Sequence, residues 1–295
     1  MTTYHPPVNK LLTYGDCRKI KGIPDYLELG FTDEHIPALI QMSIDPDLNW
    51  GDSESLEVWA PIHAWRALGQ LKAQAAIEPL INLFHELEDS DWTQELHEVL
   101  ANIGPATLPY LRTYLADASH GLHPRAGAVE TIPYIARQHP ETRDTCIDIL
   151  KNQLEKFEEN ERELNAFIIW ALADDLKAVD VAPLMEKAFE AKRVDKTIVG
   201  NWYSIQVTLG LKPPNKKLET DKEMEAEFKE MFAPIIELRE LMERDPELKE
   251  HVMSSIFSED DDEPSNAPDL ARKRAKEKNR RKMAKKSRRK NRKRK

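Results

Sequence analysis

The densest chemistry in this sequence lies in residues 271–295, which hold seventeen lysines and arginines and one acid, Glu277, for a net charge of +16. Arg272, Lys273, Arg274, Arg280, Arg281, Lys282, Lys285, Lys286, Arg288, Arg289, Lys290, Arg292, Lys293, Arg294 and Lys295 are the candidate nucleic-acid-binding residues. Cations at this density match the spacing of phosphates, and neutralising several phosphates releases condensed counterions. No aromatic ring is interleaved, so bases have nothing to stack on and sequence selectivity is not expected. Structured or ribosomal RNA suits such a segment better than a defined DNA site. Two other readings stay open: the tail lies across the protein's own acidic body, or it has no specific role.

Other chemistry is sparse. His120-Gly-Leu-His123 is the nearest approach to a metal-ligand pair, but a third ligand at suitable spacing is not evident, so no metal or other cofactor is assigned. His97-Glu98 lacks the second histidine of the metalloprotease helix motif. His63, between Pro61 and Trp65, reads as a packed helix residue. Neither a nucleophile elbow nor a phosphate-cradling glycine loop nor a dinucleotide fingerprint occurs, and no catalytic residue is assigned. Trp50 and Trp92 stand beside acidic loop residues and are the candidate protein-binding positions, since an acidic groove edged by tryptophan suits a basic segment. The other four tryptophans fall on apolar stripes and read as packing. The acidic loop 45–55 reads as turn chemistry, with a cation site as the alternative.

The formal charge of the whole chain is −9, which conceals a division. Outside residues 271–295 the chain carries 26 basic and 51 acidic residues, a net of −25. Two cysteines, Cys17 and Cys146, have no CxxC partner, so neither a disulfide framework nor a thiolate metal site is indicated. No apolar run approaches the ~20 residues that span a bilayer, and the N-terminus lacks a signal-type apolar core. A soluble cytoplasmic protein with no membrane partner is expected.

The elements that must position these residues are helical. Over residues 60–84, Ile62, Trp65, Leu68 and Leu71 share one stripe at helical spacing, Ile77, Leu80, Ile81 and Phe84 share another, and Gly69 lies near the joint. That pattern predicts a helical hairpin too short to bury its stripes alone. Similar pairs follow: Leu96 to Ile103 with Leu108 to Leu115, Val129 to Ala136 with Cys146 to Leu154, and Leu164 to Leu172 with Val181 to Phe189, before a last helix over 197–209. An earlier unit places Ile36, Leu39, Ile40 and Ile44 at core spacing behind a cap at Thr32. Prolines recur near the front of second helices, at 37, 79, 109 and 183, and Pro61 and Pro133 are expected to kink first helices.

Ala67-Leu-Gly-Gln-Leu71 followed by Ala76-Ile-Glu-Pro-Leu-Ile81, echoed by Ala101-Asn-Ile-Gly104 and Leu108-Pro-Tyr-Leu111, resembles the HEAT-like repeat family, including the short bacterial repeats of phycobilisome lyases. The resemblance covers about residues 25–211 and implies an all-α fold, an α-solenoid of helical hairpins used for binding, with no catalytic residue carried over; a lyase-type activity is the distant alternative it suggests. The expected division is an N-terminal loop and short helix (1–23), the repeat solenoid (24–211), a linker and C-terminal helical hairpin (212–257) that caps the repeats or meets a partner, and a disordered acidic-then-basic tail (258–295). The chain is then a non-enzymatic scaffold or adaptor, acidic toward an unknown protein partner and basic toward RNA or the ribosome. The alternative is a protein-interaction scaffold whose tail engages itself.

Overall fold

The structure, a computed structural model, describes residues 3–49, 51, 55–87 and 92–214. The expected C-terminal hairpin, the tail candidates and Trp50 lie outside the described residues. Those described up to Lys212 belong to one compact unit. Among them every regular element is helical: α1 (Ile36–Ser43), α2 (Pro46–Asn49), α3 (Ala60–Gln70), α4 (Ile77–Asn82), α5 (Thr93–Ile103), α6 (Leu108–Ala116), α7 (Leu122–Gln138), α8 (Arg143–Leu154), α9 (Arg162–Trp170), α10 (Ala182–Glu190), α11 (Lys196–Val199) and α12 (Trp202–Thr208). A π-helical turn, Ala171–Asp175, extends α9.

Helices α1, α3, α5, α7, α9 and α11 each pack on the next of that series. On their other side α4 packs on α6 and α6 on α8, and α10 on α12. Helix α3 shows why no unit stands alone, because nine of its eleven residues are buried and only Arg66 and Gln70 are not. Burying Trp65 and Leu68 contributes on the order of 1.5–3 kcal/mol each, and both need neighbours from the flanking hairpins to do it.

The recurring proline has a consistent structural meaning. Helices α1, α4, α6, α8 and α10 are each entered through a three-residue 3-10 turn, and α1, α6 and α10 carry proline in the first two helical positions (Pro37, Pro109, Pro183). There the missing N–H is one of the donors a helix start leaves unpaired anyway. Pro79 sits one position later in α4. Asp144 occupies the corresponding place in α8, which is why the interval from Pro109 to Pro183 spans two units.

Three expectations need correction. Pro61 starts α3 rather than interrupting it, whereas Pro133 does lie inside α7. Ile44 is 44% exposed because α1 ends at Ser43 and the helical period stops with it; Met42 fills the core instead. The single helix over 197–209 is two, divided at Gly200 (φ 74°), with the Asn201 side chain capping α12 by accepting from the Ser204 N–H. The N-terminal stretch contributes to the core. Its 3-10 helix Val8–Thr13 places Val8 and Leu11 in the core beside Tyr4, Cys17 and Tyr26.

A buried polar clamp ties that stretch down. His63 of α3 donates through Nε2 to the Gly15 carbonyl (2.8 Å) and accepts at Nδ1 from the Tyr26 hydroxyl (2.6 Å). His63 is therefore the packed helix residue its sequence context suggests. Asp45, first acid of the 45–55 loop, is equally structural, with Oδ2 accepting from the Tyr4 hydroxyl (2.7 Å) and Oδ1 from the Asp47 N–H (2.9 Å).

Candidate interaction surface

Helix α7 sets Glu130, Tyr134 and Arg137 four and three residues apart, so they share one face. Packing of α7 between α5 and α9 brings groups from both neighbours to that face. From α5 comes His97, buried, whose Nδ1 lies 2.8 Å from the Thr131 hydroxyl. That hydroxyl donates to the Gly127 carbonyl (2.8 Å), so it accepts from His97, and the imidazole carries its proton on Nδ1. His97 Nε2 then faces Glu130 Oε2 at 3.4 Å, an ion pair whenever the ring takes its second proton. The Tyr134 ring stacks on His97 (centroids 5.5 Å, interplanar angle 24°), and the Arg137 guanidinium sits 5.0 Å from the Tyr134 centroid. Arg137 reaches Asp175 of the π turn at 3.5 Å.

The result is a continuous strip across three hairpins in which aromatic rings and charges alternate. Burial, then the Glu98 carboxylate, holds the Tyr134 hydroxyl above the usual phenol range. Burial, then neighbouring Asp174, raises the Asp175 carboxyl above its ordinary value despite Arg137. Asp174 itself meets Lys177 at 3.3 Å. Trp170 precedes Asp174 by one helical turn and is 44% exposed. Such a strip can take a cationic side chain on its carboxylates and a flat group on its rings. A π turn at a packed junction is a frequent mark of function.

The sequence candidates fall elsewhere. Trp92 is half-buried and packs edge-on against Trp59 (5.6 Å, 75°), whose other partner is the Arg18 guanidinium at 4.2 Å. Among the described residues the exposed tryptophan is thus Trp170, one of the four expected to pack. Its neighbours Ile168 and Ile169 are both buried, and the sequence does not mark which residue of that apolar run ends facing out. His120 lies just before α7 and His123 at its start, and His120 is brought to His85 across hairpins (ring nitrogens 3.2 Å apart). Among the described residues no group of three or more His, Cys, Asp or Glu converges on a metal position. A groove between α8 and residues 177–181 mixes Arg143, Lys151 and Lys177 with Asp144, Asp148 and Asp180, so it favours neither sign of ligand.

No family model, curated protein or solved structure matches this chain. The likeness to HEAT-like repeats accordingly rests on residues 67–81 and 101–111 alone. Among the described residues no helix is long and apolar enough to cross a membrane.

Proposed function

We propose that this protein is a HEAT-like α-solenoid acting as a non-enzymatic scaffold, whose acidic helical body takes a protein partner and whose basic tail binds RNA without sequence preference. The observation that carries the reading is the charge division, +16 in residues 271–295 against −25 in the remainder. Linking two binding modules raises the effective concentration of one target near the other without any new contact. The order of helix packing, each first helix on the next, supports the solenoid, because stacked two-helix units bury a continuous core in that way. The strip from His97 to Asp175 supports a role in contact, since it sets rings and partly exposed charges side by side as one ordered surface.

Electrophoretic mobility shift of a structured RNA by the full chain and by a chain ending at Leu270 tests the RNA half. Binding by the first and not the second is expected; equal binding by both contradicts it.

A second reading has its own observation. Residues 22–111 contain sixteen acidic residues and two basic ones, Arg66 and Lys72, and Arg66 is already paired with Glu95. That region offers a tail of +16 an internal counterpart. Small-angle scattering of the full chain without nucleic acid separates the two readings, since a self-engaged tail expands the molecule as salt rises and a free one does not.

A further inference from the structure

We propose that His85 and His120 form a two-imidazole site for a divalent transition-metal ion of the zinc, copper and nickel class, bridging two successive hairpins. His85 ends the 3-10 turn Leu83–His85 that follows α4, and His120 ends the turn Ala118–His120 that follows α6. Stacking of the hairpins thus brings together two residues 35 positions apart, which no local spacing motif records.

Three features make the pair more than a chance contact. His85 Nε2 and His120 Nδ1 are 3.2 Å apart. Two nitrogens bound at 2.0–2.1 Å to a tetrahedral ion lie roughly 3.3 Å apart, so an ion replaces the hydrogen bond with little movement. The ligating edge of His120 is its Nδ1, which leaves Nε2 toward Asp117 Oδ2 at 3.9 Å. At that separation the carboxylate is longer than hydrogen-bond range, and it supports a bound cation through its charge. Asp117 is itself held, accepting from the Ser119 N–H at 2.9 Å. The third feature is Tyr114, whose buried ring stacks on His120 at 3.7 Å and 13° and fixes its plane. His85 is exposed, so an ion and the waters completing its shell have access. Two neutral nitrogens favour zinc, copper or nickel over the oxygen-seeking magnesium and calcium ions.

Isothermal titration of zinc into the intact, chelator-treated chain tests this, alongside His85→Gln, His120→Gln, His123→Gln and Asp117→Asn. The expected result is one zinc per chain, lost in His85→Gln and His120→Gln, kept in His123→Gln and weakened about tenfold in Asp117→Asn. Copper in place of zinc should give a paramagnetic resonance spectrum split by two nitrogens. His85 is at the surface, so its variant isolates ligation from folding. No zinc uptake by the unaltered chain, identical isotherms for it and His85→Gln, or splitting by one nitrogen overturns the proposal.

Discussion

Gly127 lies inside α7 under the ring of Phe84, and replacing it with alanine gives the clearest quantitative test of how the hairpins pack. A Cβ at Gly127 would stand 2.8 Å from Phe84 Cδ1, 3.0 Å from Cγ and 3.1 Å from Cε1, so something must shift. The ring has little room to retreat, since Phe84 is buried and already packs against His97 (5.7 Å) and Tyr114 (6.3 Å). Alanine gains up to ~1 kcal/mol of helix propensity over glycine. Overpacking a close-packed site costs ~1–3 kcal/mol. The net is a loss of about 1 kcal/mol, which lowers Tm by about 2–4 °C in a domain of this size. Gly69 of α3 supplies the internal control. Its Cβ would meet Asn102 Cβ and Val99 O at 3.4 Å, the near edge of ordinary contact, and Asn102 is exposed. Gly69→Ala should therefore keep most of the propensity gain and raise stability by up to ~1 kcal/mol. Urea denaturation followed by circular dichroism reads both variants. Gly127→Ala equal to or more stable than Gly69→Ala refutes the placement of Phe84 on α7.

Three further outcomes follow from the buried polar groups. Arg66 makes two bonds to Glu95 (2.7 and 2.8 Å) with both side chains largely buried, so Glu95→Ala leaves an uncompensated cation and should cost ~3 kcal/mol in denaturant melts, while Arg66→Met with Glu95→Leu recovers most of it. Burial holds the His63 imidazole below its ordinary value, with Tyr14, Asp16, Tyr26, Arg66 and Glu95 as its titratable and charged surroundings. The unfolded chain then takes up a proton near pH 6.5 that the folded chain refuses, so stability is full above that pH and falls as pH drops below it. Denaturation midpoints from pH 8 to 5 should show the slope, and His63→Gln should flatten it. Burial pushes the Cys17 thiol up to about 11 and raises Cys146 as well, so both should react slowly with a disulfide reagent at pH 8 in the folded chain and rapidly in urea; rapid labelling of the folded chain contradicts their burial.

The helical pattern was legible because each amphipathic stripe, such as Leu96, Val99, Leu100 and Ile103, has to face a neighbour. The prolines entering α1, α6 and α10 were legible because few other local structures tolerate them so well. What escaped depends on assembly. Tyr4, Val8 and Leu11 stand at steps of four and three, but Pro6-Pro7 breaks the run, and docking of this stretch against α3 makes them core together with Cys17. Trp170 faces out because nothing described covers that edge of α9, a property of neighbours rather than of its own apolar run. The strip from His97 to Asp175 and the pair His85 with His120 join residues dozens of positions apart. The sequence sets His120 beside His123, whereas the ring His120 meets belongs to the preceding hairpin.

The account stands most directly on the salt dependence of RNA binding by the intact chain. Six to ten phosphate contacts from residues 272–295 predict that log Kobs falls against log salt with a slope of about −4 to −7 on single-stranded RNA, independent of its sequence. A slope near zero, or strong preference for one RNA sequence at equal length, contradicts it.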